Sequence, residues 1–208
     1  MDEQAAEAAP YEDLRRLSDA RELRALAHPA RLALYELLAI HESLTATQAS
    51  KLIGGSPSSV AYHLRTLAKY GYVEESNDGI GRERPWRLAH AGFRFSDDTT
   101  DQEAKDAAHA LSRQLFKRWL DRREAYRNDK ERWPADVREA SGDWNWIIFG
   151  TTAELRELQD AIARLTERFH DRITDPTRRP VGWQTFECQL YTHPIDTSAY
   201  ALPHHSED

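Results

Sequence analysis

The sequence predicts an α+β, mainly helical chain in two parts: a small helical unit closed by a hairpin, then a long helix leading into a strand–helix–strand end. Three observations predict it. Two helix-start signals flank the pair Gly54-Gly55, and the turn signal Asp78-Gly79 separates two short β-prone runs. A capping pair, Thr151 and Glu154, opens a strongly periodic helix between two aromatic-rich runs.

Composition limits what such a chain can be. With 208 residues, 40% of them hydrophobic and six of them tryptophan, it can bury a core, so global disorder is excluded. No run of about 18 apolar residues occurs and no charged-then-apolar leader opens the chain, so neither a membrane span nor a secretory signal is expected. A cytoplasmic address is the corresponding expectation. The single cysteine, Cys188, cannot form a disulfide within the chain, which suits a reducing compartment.

Taken in order, residues 1–10 are acidic, alanine-rich and predicted disordered. Residues 11–27 carry Leu14, Leu17, Leu23 and Leu26, and residues 29–40 carry Leu32, Leu34, Leu37 and Leu38. Both runs predict helices, split at His28-Pro29 because the residue before proline avoids the α region. A histidine beside a proline at a helix start is expected to cap or pack, and His63, at the edge of an apolar stripe, is read the same way.

Thr45 and Gln48 form a capping box, so a short helix should begin near Ala46 and turn Ala49, Leu52 and Ile53 inward. Gly54-Gly55 ends it. Ser56 is then a second N-cap and Pro57 takes the first helical position, where its missing N–H costs nothing. On this second helix Val60, Leu64 and Leu67 recur at i, i+4 and i+7 as the buried stripe. The opposite face carries Ser58, Ser59, Tyr62, Arg65, Thr66 and Lys69, with no acidic residue from Ser56 to Val73. Hydroxyls and cations bind phosphates, and residues near a helix N-terminus reach base edges, so this face suits a major groove. The competing reading is an ordinary solvated amphipathic helix.

The next segment separates these readings. Residues 72–76 can pair with 85–89 across 77–84, which places Arg82 and Arg84 at the tip or flank of a hairpin. A helix pair followed by a basic-tipped hairpin is the order of a winged helix, whose wing grips backbone or minor groove beside the recognition helix. The expected DNA-contacting set is therefore Ser56, Ser58, Ser59, Tyr62, Arg65, Thr66, Lys69, Arg82 and Arg84. Charge agrees: seven cations and four anions between Lys51 and Arg94 leave this stretch at +3 in a chain of net charge −7, a basic head on an acidic body.

The runs 23–32 (LRALAHPARL), 58–64 (SSVAYHL) and 70–73 (YGYV), with Leu67, resemble the ArsR-type winged-helix regulators over roughly residues 19–95. The resemblance implies a dimeric transcriptional regulator, usually a repressor released from DNA by an effector. Thiolate metal sensors of that family carry a Cys-x-Cys near the first helix of the pair, whereas residues 46–52 here contain no cysteine. The resemblance therefore implies DNA binding and leaves the signal open.

The polar break at residues 96–100 is the expected boundary between an 11–98 DNA-binding domain and a 99–208 domain for dimerisation and effector sensing. A long helix is predicted from Asp101 to about Arg132, stopped by Pro134. Its apolar positions run from Ala104 through Leu111, Phe116, Trp119 and Leu120 to Tyr126, a stripe wide enough to ask for a partner helix. Asp106 and His109 share a face at i, i+3, but without a second His or Cys pair no metal site is expected.

Beyond it, residues 144–149 (WNWIIF) predict a strand. Leu155, Leu158, Ile162, Leu165, Phe169 and Ile173 predict a helix, and residues 183–193 predict a half-buried strand with Phe186, Cys188 and Leu190 on one face. Two strands and one helix make a thin layer, so the sheet is expected to be completed by, or packed upon, a second subunit. Trp144, Trp146, Trp183, Phe186 and Tyr191, with Glu187, Gln189 or His193 as polar contacts, are the candidate lining of a pocket for an organic effector; packing is the competing reading. Residues 202–208, with His204-His205, are predicted to be a loose tail.

No Gly-rich phosphate loop, H-E-x-x-H or G-x-S-x-G occurs, so no enzyme, catalytic residue or cofactor is expected. The expected partners are double-stranded DNA, a second copy of the chain and a small-molecule effector, with no membrane. The alternative is a winged-helix protein-interaction module that does not touch DNA.

Overall fold

The computed structural model describes residues 14–76 and 84–196. The disordered tail expected for 1–10, Arg82 at the wing tip and the tail at 202–208 lie outside the described residues.

A short strand β1 (Leu14–Leu17) leads into α1 (Ala20–Ala27) and α2 (Pro29–Ile40). The single helix expected over 11–27 is thereby corrected. Asp19 accepts hydrogen bonds from the N–H groups of Arg21 and Glu22, which fixes the helix start at Ala20. The residues before it are extended and pair in parallel with β4 (Gly92–Phe95), Leu14 opposite Gly92 and Leu17 opposite Phe95. Neither strand of that pair was anticipated beyond the wing.

At the α1–α2 elbow His28 is the N-cap of α2, its Nδ1 accepting the Ala30 N–H at 3.2 Å. Arg31 folds back to donate to the carbonyls of Ala25 and Arg24, closing the C-terminal end of α1. Helices α3 (Ala46–Ile53) and α4 (Pro57–Lys69) follow as the sequence predicts. The α3 capping box is complete on both sides, since the Gln48 N–H donates to the Thr45 hydroxyl and the Thr45 N–H to the Gln48 amide oxygen. One inward assignment is wrong: Leu52 is 55% exposed, and Ala49 and Ser50 are the buried residues of α3. On an eight-residue helix the row 46, 49, 50, 53 faces the core, and Leu52 sits about a quarter-turn away from it.

Strands β2 (Val73–Glu75) and β3 (Trp86–Leu88) form the antiparallel wing base, with Glu74 opposite Arg87 and Glu75 opposite Trp86. Leu44 extends this sheet by one bridge to Trp86. One apolar core joins β1, α1–α4 and the wing; Leu26, Leu32, Leu34, Leu64 and Leu67 are fully buried in it.

That core does not stop at the polar break. Helix α5 (Gln102–Asn128), capped by Asp101, lays Ala104, Ala107, Ala108 and Leu111 against α1 inside the same core. The apolar stripe attributed to a partner helix is thus half consumed within the chain, because three alanines let two helix backbones approach closely. Only its C-terminal half, with Phe116 and Leu120, is left exposed. Helix α5 gives way at Asn128 to a 3₁₀ turn (Lys130–Arg132), and Pro134 precedes a short α6 (Ala135–Ala140) that the sequence had not indicated.

Helix α7 (Thr152–Thr174) has the predicted capping box at Thr151 and Glu154. Residues 144–149 and 183–193 flank it, but no described residue of either is in a strand, so the strand–helix–strand expectation is not met within one chain. The physical reason is the absence of a neighbour: a strand exists only through a ladder, and neither segment pairs with a strand among the described residues.

Candidate nucleic-acid interface

The geometry of α4 is fixed at both ends. Ser56 caps its N-terminus, the hydroxyl accepting the Ser59 N–H at 3.2 Å, and Pro57 occupies the first turn. The turn before it runs through Gly54 and Gly55 at φ 83° and 86°, a region that residues with a Cβ rarely adopt. At the other end the Tyr72 N–H donates to the Leu67 carbonyl and the Gly71 N–H to the Ala68 carbonyl, with Gly71 at φ 70°, which is a Schellman motif. Arg15 of β1 then clamps this end. Its guanidinium donates to the Tyr70 carbonyl, pairs with Glu22 at 2.7 Å and lies 4.9 Å from the Tyr72 ring centroid.

With Val60, Leu64 and Leu67 buried, the opposite face of α4 is held outward. Ser56, Ser58, Ser59, Tyr62, Arg65 and Lys69 are all exposed, Tyr62 at 60%. Neither Arg65 nor Lys69 is in an ion pair with a described residue, so both cations are available to an anionic ligand. Thr66 is different: it is half-buried and its hydroxyl donates to the Tyr62 carbonyl, which occupies its only proton. Ser56 and Ser58 share a hydroxyl contact of 3.0 Å at the helix start.

Between the start of α3, the exposed face of α4 and the wing base lies an open cleft of about 430 Å³, lined by Thr45, Ala46, Ala61, Arg65, Glu75, Arg84 and Trp86. Arg65 and Arg84 thus face one space, as the sequence required of a recognition helix and its wing. Two cations of the wing are partly neutralised, a detail the residue count could not reveal. Arg87 pairs with Glu74 at 2.7 Å directly across the strand ladder, and Arg84, just before β3, with Glu75 at 3.5 Å.

Behind the face sits a cluster that sequence reasoning treated only as packing. The rings of His28 and His63 are 5.0 Å apart, and the buried Nδ1 of His63 has no hydrogen-bond partner. Burial lowers the proton affinity of both imidazoles; Arg31 lowers it further at His28, and His28 followed by Arg31 does so at His63. His63 of α4 is thus set against His28 at the α1–α2 elbow, and this environment disfavours the charged form of both imidazoles.

The other candidate sites come out less well. Asp106 accepts from Gln102, and His109 contacts Asp97 at 2.8 Å instead of joining Asp106. No group of three or more metal-ligating side chains occurs among the described residues. The five proposed effector aromatics fall into separate places: Trp144 contacts Trp146, Tyr191 meets Phe116 and Trp119 of α5, Trp183 lies under Arg179, and Phe186 is exposed. They do not converge on one pocket. Of the polar candidates, Glu187 is held by Arg122, Gln189 donates to Glu187 at 3.2 Å, and His193 is exposed.

Against known protein families, residues 26–75 match the helix-turn-helix domain family. No curated protein matches the chain. The matched span runs from the end of α1 through β2 and so contains α3, α4 and the histidine cluster. No helix among the described residues is long and apolar enough to cross a membrane.

Proposed function

We propose that the protein is a sequence-specific, DNA-binding transcriptional regulator of ArsR-like type, a repressor that acts as a homodimer on an inverted repeat and is released by a small-molecule effector. The observation that carries the DNA reading is the exposed face of α4. It presents hydroxyls, Tyr62 and two cations that pair with no described residue, with no carboxylate among them, and Arg84 faces the same cleft. Such a helix can enter a major groove with Tyr62 and Arg65 toward base edges and Lys69 toward phosphate. The match to a helix-turn-helix domain over residues 26–75 supports the same reading.

Dimerisation would set two such helices about one DNA turn, or a multiple of it, apart, which is why an inverted repeat is the expected operator. The test is to incubate the purified protein with random or genomic duplex fragments and sequence those retained. An enriched palindromic motif supports the reading; retention without enrichment contradicts it.

The pairing of Arg84 with Glu75 and of Arg87 with Glu74 gives a second reading a specific basis, because it reduces the charge of the wing. In that reading the winged helix is a protein-interaction module. A complex with DNA that weakens steeply with salt excludes it.

A further inference from the structure

The C-terminal segment is half of a strand. Along residues 187–191 the odd-numbered side chains are engaged with the body of the chain: Glu187 pairs with Arg122, which also reaches Glu36 of α2 at 2.9 Å, and Tyr191 sits against Phe116 and Trp119. The Gln159 amide donates to the Thr192 hydroxyl at 3.1 Å, tying the segment to α7 as well. The even-numbered side chains Phe186 (52% exposed), Cys188 and Leu190 (48% exposed) are open to solvent. The contacts along 187–191 alternate with the period of a strand, but all of residues 181–196 stay exposed, Tyr191 at 54% among them, so both sides of the segment lack a cover.

The same holds for the other apolar run. Trp144 is 78% and Phe149 96% exposed, with Trp146, Ile147 and Ile148 also open to solvent. Summed over these side chains and the exposed Phe116 and Leu120 of α5, the open apolar area is on the order of 1,000 Å², comparable to one side of a stable interface.

We infer that a second copy of this chain covers this surface, the runs 144–149 and 183–193 of both copies completing an intermolecular sheet. Three features favour a second copy over a foreign partner. Residues 144–153 carry no charge, and among 181–195 the only Asp, Glu, Lys or Arg is Glu187, already paired with Arg122, so like copies meet without the repulsion expected of a −7 chain. Two extended runs per chain become four in a dimer, above the three or so that an independent sheet needs. An isologous contact also lets each copy supply what the other lacks, namely a strand edge and an apolar face. The inference places the dimer contact that the proposed function requires; it does not depend on DNA.

The experiment uses the full chain without DNA. Sedimentation equilibrium should find a dimer at micromolar concentration. Cys188, the only cysteine, should react with a maleimide about tenfold or more slowly in the dimer than in chains diluted to monomer. Ile148→Asp and Phe186→Asp, at positions exposed in the single chain, should each raise the dimer dissociation constant by about 30-fold or more while leaving the helical circular dichroism unchanged. Arg65→Ala should leave the dimer intact, so failure of the DNA reading and failure of this one are distinguishable. A wild-type chain that stays monomeric at tens of micromolar overturns the inference. So does a dimer that both aspartate variants keep at wild-type strength with Cys188 freely reactive.

Discussion

The N-terminal unit and the C-terminal half differ in where their apolar residues find partners. From β1 to the middle of α5 nearly every periodic apolar position is buried within the chain: Leu23 and Leu26 on α1, Leu64 and Leu67 on α4, Ala104 to Leu111 on α5. Beyond Asn128 the patterns are as regular, yet α7 buries only Ala163, and the tryptophans on either side of it stand in solvent. The difference teaches that periodicity reports which residues seek burial, while the identity of the partner is a separate matter that the chain can leave to another molecule.

The comparison breaks most visibly by truncation. A 1–128 fragment should fold cooperatively on its own, because it retains every buried residue of the N-terminal core and loses only the partly buried Ile173 that packs on it. A 1–98 fragment should not, since it removes the buried face of α5, of which Leu111 alone is worth about 2–5 kcal/mol by the cost of Leu→Ala changes in cores. Urea melts of the two fragments measure this. Equal midpoints would show that α5 is an appendage and not part of the core.

Next in size is a pair of point changes within the 1–128 fragment. Leu67→Ala should cost about 2–5 kcal/mol, whereas Leu120→Ala, on the exposed end of α5, should stay within about 0.5 kcal/mol. Comparable losses at both positions would mean that the exposed end of α5 is covered within the chain after all.

The functional face sharpens the same contrast, because its residues should matter to DNA and little to stability. Tyr62→Ala and Arg65→Ala should each cost about 1–3 kcal/mol of specific binding, read as a 10- to 100-fold loss in a competition titration, with thermal stability nearly unchanged. Arg84→Ala should cost less than Arg65→Ala, since Glu75 already engages that guanidinium.

The smallest expected change is a pH dependence from the cluster behind α4. The folded-state proton affinities of His28 and His63 lie below the ordinary histidine value of 6.5, through burial first, then through Arg31 at His28 and through His28 followed by Arg31 at His63. The unfolded chain therefore binds more protons below about pH 6.5, and the stability present above that pH should be lost as pH falls through the lowered folded values. His63→Gln should flatten this slope in urea melts run between pH 7 and 5. An unchanged slope would remove His63 from the account.

Legibility followed how local the deciding interaction was. Thr45 with Gln48, and Ser56 with Pro57, decide helix starts within four residues, so both ends of the helix pair could be read directly. The extended Leu14–Leu17 was missed because its partner lies near residue 92, far along the chain, while Leu14, Leu17, Leu23 and Leu26 imitate a helical spacing. A local signal was available: Asp19 followed by Glu22 has the spacing of a helix start. The half-use of the α5 stripe was hidden by its alanines, which by composition look like weak packing and in fact allow close approach to α1. At the candidate site the exposed set on α4 was legible from the stripe opposite it. The neutralising pairs of Arg84 and Arg87 depended on strand register and were not.

The measurement that tests the central claim most directly is the affinity of the full chain for an enriched duplex and for a shuffled duplex of equal length, titrated across salt concentrations with wild type, Arg65→Ala and Lys69→Ala. The account predicts strong preference of the wild type for the enriched duplex, loss of that preference in Arg65→Ala, and in Lys69→Ala a slope of log K against log salt shallower by about one unit. Equal affinity for both duplexes, or no binding at low salt, would contradict the assignment of α4 as a DNA-reading helix.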